Sequence, residues 1–266
     1  MTDLQEDAQA FNSALKEEVP SIGKPESLSV ELQRGLMDKV SGTWQTSAEL
    51  RELTGEDEEF LASLETDKAM TYAKYMNILA ARATVRIGSI QVNGSQELIQ
   101  ELIASDRDIL FLGIVRATYG PERTFNRLCD ACGKQNDVTI NLVEDFPITK
   151  PTIDLQSPLV IELNKGKTIK MRLPTGADNI TISKKGATTA EQSTWLIASC
   201  TLWDDGKGPE DPVKWAKSLS IADRSKIVKA LLSLELGPKM REVNTQCGHC
   251  DETMNITIDW VSLLLG

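Results

Sequence analysis

Four cysteines fall into two matching pairs, Cys129-x-x-Cys132 and Cys247-x-x-Cys250. Thiols at this spacing turn both sulfurs toward one point, so two such pairs together suit a tetrahedral four-sulfur metal site. Zinc is the expected ion, because its filled d-shell imposes no geometry and thiolate sulfur matches its size and softness. A rubredoxin-like iron site and unmetallated thiols are the alternatives. Gly133 follows the first pair and Gly248 lies inside the second, where each eases a tight turn. With all four sulfurs engaged no coordination position stays open. The expected Zn2+ is therefore structural, one per chain, and its loss would be felt as unfolding.

Other candidates for chemistry have plainer readings. His249, the only histidine, lies between Cys247 and Cys250 and is read as an exposed bystander, not a ligand. Cys200, in the run Trp195-Leu196-Ile197-Ala198-Ser199-Cys200, is read as a buried helix residue. The acidic run Glu56 to Glu59 reads as a helix start, not a metal cluster. Arg107 and Arg224 each follow an aspartate and are read as structural ion pairs near helix starts, in preference to substrate ligands. No Gly-x-Ser-x-Gly, phosphate loop or dinucleotide fingerprint is present, and the chain is read as no enzyme.

The elements that position the cysteines come in two sets. A strand over Leu28–Leu32 leads into a turn at Arg34-Gly35, and a second strand runs from about Ser47 to Leu53. Thr54 is a candidate N-cap for a helix opening with Gly55, Glu56 and Asp57. A longer helix is expected over Asp67 to Ile87, and another runs from Asp106-Arg107 to the stop at Gly120-Pro121. The first cysteine pair and a strand at Val138–Leu142 follow. The pattern then recurs: a strand at Leu159–Leu163, a turn at Lys165-Gly166, a strand at Thr168–Arg172, and Thr175-Gly176-Ala177-Asp178. A helix at Ala190 to Trp203 comes next, then Asp223-Arg224, Gly237-Pro238, the second cysteine pair and a strand from Ile256.

Five landmarks in the same order at nearly constant offsets point to an internal duplication of a small domain, too long in period for a solenoid. The expected fold class is α+β: two copies of a hairpin-plus-helices domain in pseudo-twofold arrangement, joined by a split zinc-ribbon-like four-cysteine site. The domain reading is an acidic arm over 1–26, a first repeat over 27–148, a linker over 149–158 and a second repeat over 159–266. Within the repeats, Thr54, Gly55, Asp57, Asp106, Arg107, Thr175, Gly176, Asp178, Asp223 and Arg224 are the candidate structural residues. The arm holds six acidic and two basic residues and reads either as a segment that orders on a partner or as a plain tail. The apolar run Trp260 to Leu265, with Trp260, Leu263, Leu264 and Leu265, reads equally as a partner contact or as part of the core.

Composition narrows the function. The 266 residues are 41% hydrophobic and 26% charged, as in folded soluble domains. A net charge of −10 speaks against a general nucleic-acid binder, which needs cationic contacts to phosphate. The apolar run near the end is too short to span a bilayer, and the acidic start is unlike a signal or transit peptide. A cytoplasmic setting, with reduced thiols, is expected.

Three stretches carry a resemblance. Leu50-Arg51-Glu52-Leu53-Thr54-Gly55-Glu56-Asp57-Glu58-Glu59 resembles an LRELTGxDEE signature of contractile-tail phage proteins. Asp106-Arg107 ahead of Cys129-Asp130-Ala131-Cys132-Gly133 matches a helix-then-knuckle order of the same group. Arg172-Leu173-Pro174-Thr175-Gly176-Ala177-Asp178 resembles the RLPTGAD signature of its second half. These are features of the baseplate hub assembly proteins of T-even-type phages, related to tail-assembly chaperones of other contractile injection systems. The resemblance spans roughly residues 28 to 262. It implies a scaffold or chaperone for hub or tape-measure proteins, acting in the host cytoplasm during assembly, with retention in the virion baseplate as an alternative. A zinc-ribbon nucleic-acid-binding or transcription-related module is the other rival. The cysteine pairs vary across that group, so the zinc expectation rests on this sequence.

Overall fold

Alternating apolar and polar residues pair β1 (Ser27–Asp38) with β2 (Thr43–Arg51) in a long antiparallel hairpin. The computed structural model describes residues 27–64, 70–182, 187–203, 207–234, 236–239, 243–256 and 263–264. The expected turn at Arg34-Gly35 is a bulge instead: the ladder shifts register between Glu31 and Leu36, and the strand continues to a turn before Thr43. Gly35 takes the left-handed conformation there (φ 75°). The cause is Asp106, whose carboxylate accepts the N–H groups of Gln33 at 2.6 Å, Arg34 at 3.2 Å and Gly35 at 2.8 Å, so these donors leave the ladder.

Helix α1 (Gly55–Leu64) follows β2, and α2 (Tyr72–Ala83) starts at an N-cap, Thr71. The helix expected to reach Ile87 stops at Ala83, because Thr84–Ile87 pairs with β2 as β3. β4 (Ile90–Gln91) completes the sheet in the order β1-β2-β3-β4. A short helix absent from the expectations, α3 (Gln96–Glu101), leads into α4 (Ala104–Tyr119), which packs across β1 and ends at Gly120 (φ 85°). Gly113 lets α4 approach closely: a Cβ there would run into the side chains of Leu50 and Val30. The hairpin β5 (Glu122–Leu128) and β6 (Gln135–Asn141) carries the first cysteine pair at its tip, and β5 was not foreseen.

The same order of elements returns. β7 (Leu159–Glu162) and β8 (Thr168–Met171) flank a 3-10 turn at Asn164–Gly166 and are followed by α5 (Gly176–Ile182) and α6 (Thr189–Cys200). The helix expected to reach Trp203 ends at Cys200, because β9 (Thr201–Leu202) joins β8. Thr201 pairs with Met171 as Thr84 pairs with Leu50. α7 (Pro212–Ser218) was not foreseen; α8 (Ile221–Leu232) starts at an N-cap, Ser220, and stops short of Gly237. The hairpin β10 (Val243–Gln246) and β11 (Thr253–Ile256) holds the second cysteine pair; most of the strand expected beyond Ile256 lies outside the described residues, as do the arm and Trp260.

α5 packs against α2, α3 and α4, and among the described residues α1 makes no packing of that extent against α6, α7 or α8. At the centre of the α5 contact Ile103 bridges Thr175, and Gly176 N–H donates to the Leu102 carbonyl at 3.0 Å. Leu155, Leu173 and Ile103 form a small apolar core at this junction, so the stretch read as a linker packs at Leu155. A second tie runs through Gln33: its amide donates to the Thr149 carbonyl at 2.8 Å and accepts the Gly237 N–H at 2.8 Å.

Candidate metal centre

Each cysteine pair sits in a hairpin tip whose backbone is tied in one way. Cys129 N–H donates to the Lys134 carbonyl and Cys247 N–H to the Glu252 carbonyl, both at 2.9 Å. Gly133 N–H returns to the Cys129 carbonyl at 2.8 Å, and Asp251 N–H to that of Cys247 at 3.0 Å. Gly133 and Asp251 are both left-handed, with φ of 67° and 57°. The expected role of Gly133 matches this geometry, whereas Gly248 has an ordinary φ and its counterpart duty falls to Asp251.

The two tips face each other. All four Sγ atoms lie within 4.8 Å of one another, with Cys129 and Cys250 at 3.8 Å and Cys132 and Cys247 at 3.7 Å. Sulfurs about 2.3 Å from one tetrahedral ion stand about 3.8 Å apart, so the tetrad has the size of a zinc–thiolate site. No disulfide links them. Cys129 and Cys247 are buried and Cys250 is exposed, giving a site sealed on its inner side.

Two of the thiols are shifted in opposite directions. Burial pushes Cys247 up, but the N–H groups of His249 and Cys250, with Asn136 and Cys132, outweigh it and bring its pKa down to about 6. Cys250 goes the other way: Glu252 N–H lowers it, yet its hydrogen bonds with Cys132, Cys247 and Cys129 push it up to about 12. One sulfur thus gives up its proton readily while another keeps it, and a soft dication would displace what remains.

His249 points away from the sulfurs. Its Nε2 lies 3.2 Å from the Gln135 carbonyl, while Gly248 N–H donates to Asn136 Oδ1 at 2.9 Å. Both bonds join one tip to the other, an interlocking role that spacing alone did not reveal. Cys200 is fully buried in α6, with burial pushing its pKa up to about 12.

The remaining candidates hold the scaffold. Asp57 is buried and accepts from Arg51 at 2.6 and 3.0 Å, Arg82 at 2.8 Å, Thr54 N–H at 3.0 Å and Thr54 Oγ1 at 3.1 Å. Burial raises its pKa, but these donors hold it well below the usual carboxylate range. Thr54 thus donates to Asp57 as well as starting the helix. Asp178 accepts the same set from Arg172, at 2.6 and 2.9 Å, and from Thr175 N–H and Oγ1, at 2.8 and 3.0 Å. Asp106 and Asp223 also correspond: Asp106 takes the N–H of Gln33 at 2.6 Å, within the bulged stretch of β1, and Asp223 that of Asn164 at 2.7 Å, at the start of the 3-10 turn.

The arginines beside them reach across to neighbouring helices. Arg107 donates to Asn77 Oδ1 at 2.8 Å, and Arg224 to the carbonyls of Ala216 and Ala190 and to Thr194 Oγ1. These contacts are to neutral oxygens and join helices. Leu263 and Leu264 are buried in the core with Phe111, Val115 and Ile140, so of the two readings of that run these side chains take the core one. Trp260 and Leu265 lie outside the described residues.

Residues 43–263 match the family described as T4 bacteriophage base plate protein, and the chain belongs to that family. No curated protein and no solved structure matches the chain. It is thereby a phage baseplate protein of mixed α and β structure, carrying four cysteines placed to hold a metal ion. No helix among the described residues is long and apolar enough to cross a membrane.

Proposed function

We propose that the chain is a non-enzymatic scaffold or chaperone for building the central hub of the baseplate, acting on hub or tape-measure proteins in the host cytoplasm. Two copies of one small domain, 27–148 and 159–266, form its body, and a structural zinc on Cys129, Cys132, Cys247 and Cys250 fastens them. The observation that carries this reading is the closed sulfur tetrad in a chain of the baseplate family. All four ligands come from the two hairpin tips, which suits a fastener and leaves no position for a reacting group. The matched Asp57 and Asp178 networks support the two-copy reading.

When bound, the ion supplies cross-linking: it joins β5–β6 to β10–β11 through thiolate bonds. The protein's own part is to aim backbone N–H groups at the Cys247 sulfur and to interlock the tips through Asn136 and His249. An affinity-tagged chain recovered from infected cells should bring down hub or tape-measure proteins. Recovery of none of them would overturn the assignment. Mass spectrometry of purified virions tests retention in the baseplate, which the family match also favours.

A further inference from the structure

The junction inside the chain uses one face from each set of elements and leaves the other two unused. The β8–α5 corner, Thr175 and Gly176, seats on the α3–α4 corner, Leu102 and Ile103. The positional counterparts are the β2–α1 corner, Thr54 and Gly55, and the α7–α8 corner, Leu219 and Ser220. Among the described residues neither is covered: Thr54, Gly55 and Ser220 are exposed. We propose that these two corners bind each other between copies, so that the protein self-associates head to tail through the contact already present inside it. The inference rests on the two-copy reading of the chain and not on the hub assignment.

The backbone of the receiving corner is preserved. Leu102 has φ −70° and ψ 147°, and Leu219 has φ −68° and ψ 148°; Ile103 and Ser220 are the N-caps of the following helices. The Leu219 carbonyl therefore presents itself as the Leu102 carbonyl does to Gly176 N–H.

The glycines give an independent sign. A Cβ on Gly176 would stand 3.0 Å from Gln100 Cα and 3.2 Å from the Arg107 guanidinium, so a side chain there would push the junction apart. Gly55 holds the equivalent place with nothing within 4 Å of such a Cβ, and its φ is not left-handed. Among the described residues nothing there calls for a glycine. A second copy seated on it would.

The side chains at the two unused corners are complementary. Gln100 and Ala177, neutral neighbours of the inner junction, are replaced by Lys217 and Glu56. Lys217 is exposed on α7, and Glu56, whose carboxylate stands 3.8 Å from Arg82, keeps a side chain 89% exposed at the start of α1. Ile103 and Leu173 become Ser220 and Glu52, making the outer version more polar and weaker than the inner one. Ala104 becomes Ile221, which is 84% exposed. Beside Gly55 opens a cleft lined by Leu53, Glu58, Leu61 and Tyr75, apolar enough to receive an isoleucine. A heterologous contact of this kind closes into a ring or runs on as a filament, according to the rotation between copies.

Sedimentation of the full chain over a micromolar-to-millimolar range tests the proposal. Mass should rise with concentration beyond a dimer, and more so at low salt. Lys217→Glu or Glu56→Lys alone should weaken association about tenfold, and the double exchange should restore it. Gly55→Trp should abolish association without lowering Tm. Gly55→Trp mixed with wild type should lower the mean mass, since each variant copy keeps only the α7–α8 face and ends a growing chain. A chain that stays monomeric throughout overturns the proposal, as does a Gly55→Trp variant that associates normally. Gly176→Trp separates the two ideas. Loss of Tm there with a monomeric wild type leaves the inner junction intact and removes only its repetition between copies. Unchanged Tm removes the template itself.

Discussion

The sulfurs of Cys129 and Cys250 stand 3.8 Å apart although 121 positions separate them in the chain. A single ion can therefore tie the first hairpin tip to the last, and the stability it lends belongs to the whole protein.

Purified protein should carry one zinc per chain by elemental analysis. Cys129→Ser and Cys247→Ser should each remove it and lower stability by a similar amount, about 4 kcal/mol when free zinc exceeds Kd a thousandfold. Cys200→Ser should leave the metal content unchanged. Two independent half-sites, or an unchanged melting curve after chelation, would sink the shared-site reading.

Asp57→Asn removes the charge that answers both Arg51 and Arg82, and should cost about 3 kcal/mol, in the range for breaking a buried pair. Asp178→Asn should cost less, because among the described residues Arg172 is its one ion-pair partner and is a third exposed. The folded pKa of both carboxylates is depressed. Their contribution is thus present above the unfolded value near 4 and is lost as pH falls through the folded one, which thermal melts between pH 5 and about 2 would follow.

Asp108 should behave oppositely. Burial on α4 pushes its pKa up to about 6, with Arg107 only partly opposing. A raised acid pKa means that folding is penalised while the group is ionised. The penalty is full above pH 6 and fades as pH falls toward about 4. Asp108→Asn should raise Tm at neutral pH, by on the order of 1 kcal/mol of stability after allowing for solvent screening, and leave it unchanged near pH 4. An equal gain at both pH values would rule out the titration.

Gly113→Ala should destabilise by about 1–3 kcal/mol, since the added methyl meets Leu50 and Val30 where α4 crosses the hairpin. Gly120→Ala, with open space around it, should cost less and only through its positive φ of 85°. Chemical denaturation of both variants would show the order.

Much of the centre was legible because its signals are local. A C-x-x-C spacing specifies a turn whatever surrounds it, and Thr54 with Asp57 or Thr175 with Asp178 announce a helix start within four residues. Helix ends were misjudged where tertiary pairing won: Thr84 and Thr201 leave their helices to join β2 and β8. The bulge at Gly35 could not be read from Arg34-Gly35, because its cause, Asp106, lies more than seventy positions away. The hairpin strands β5 and β10 are largely polar, so hydrophobic alternation gave little to find. The packing of α5 on α2, α3 and α4 depends on how whole helices meet, which a repeated order of landmarks does not specify.

Each cysteine pair closes its own set of elements, and the second is made 115 positions after the first. At about 5–20 residues per second the ribosome takes roughly 6–23 s to cover that distance. During that interval the first tip offers only two sulfurs, too few to saturate a tetrahedral ion. With the proposed zinc bound, closure of the site would mark the moment when both hairpins exist and have docked, a chemical checkpoint that a half-made chain does not pass.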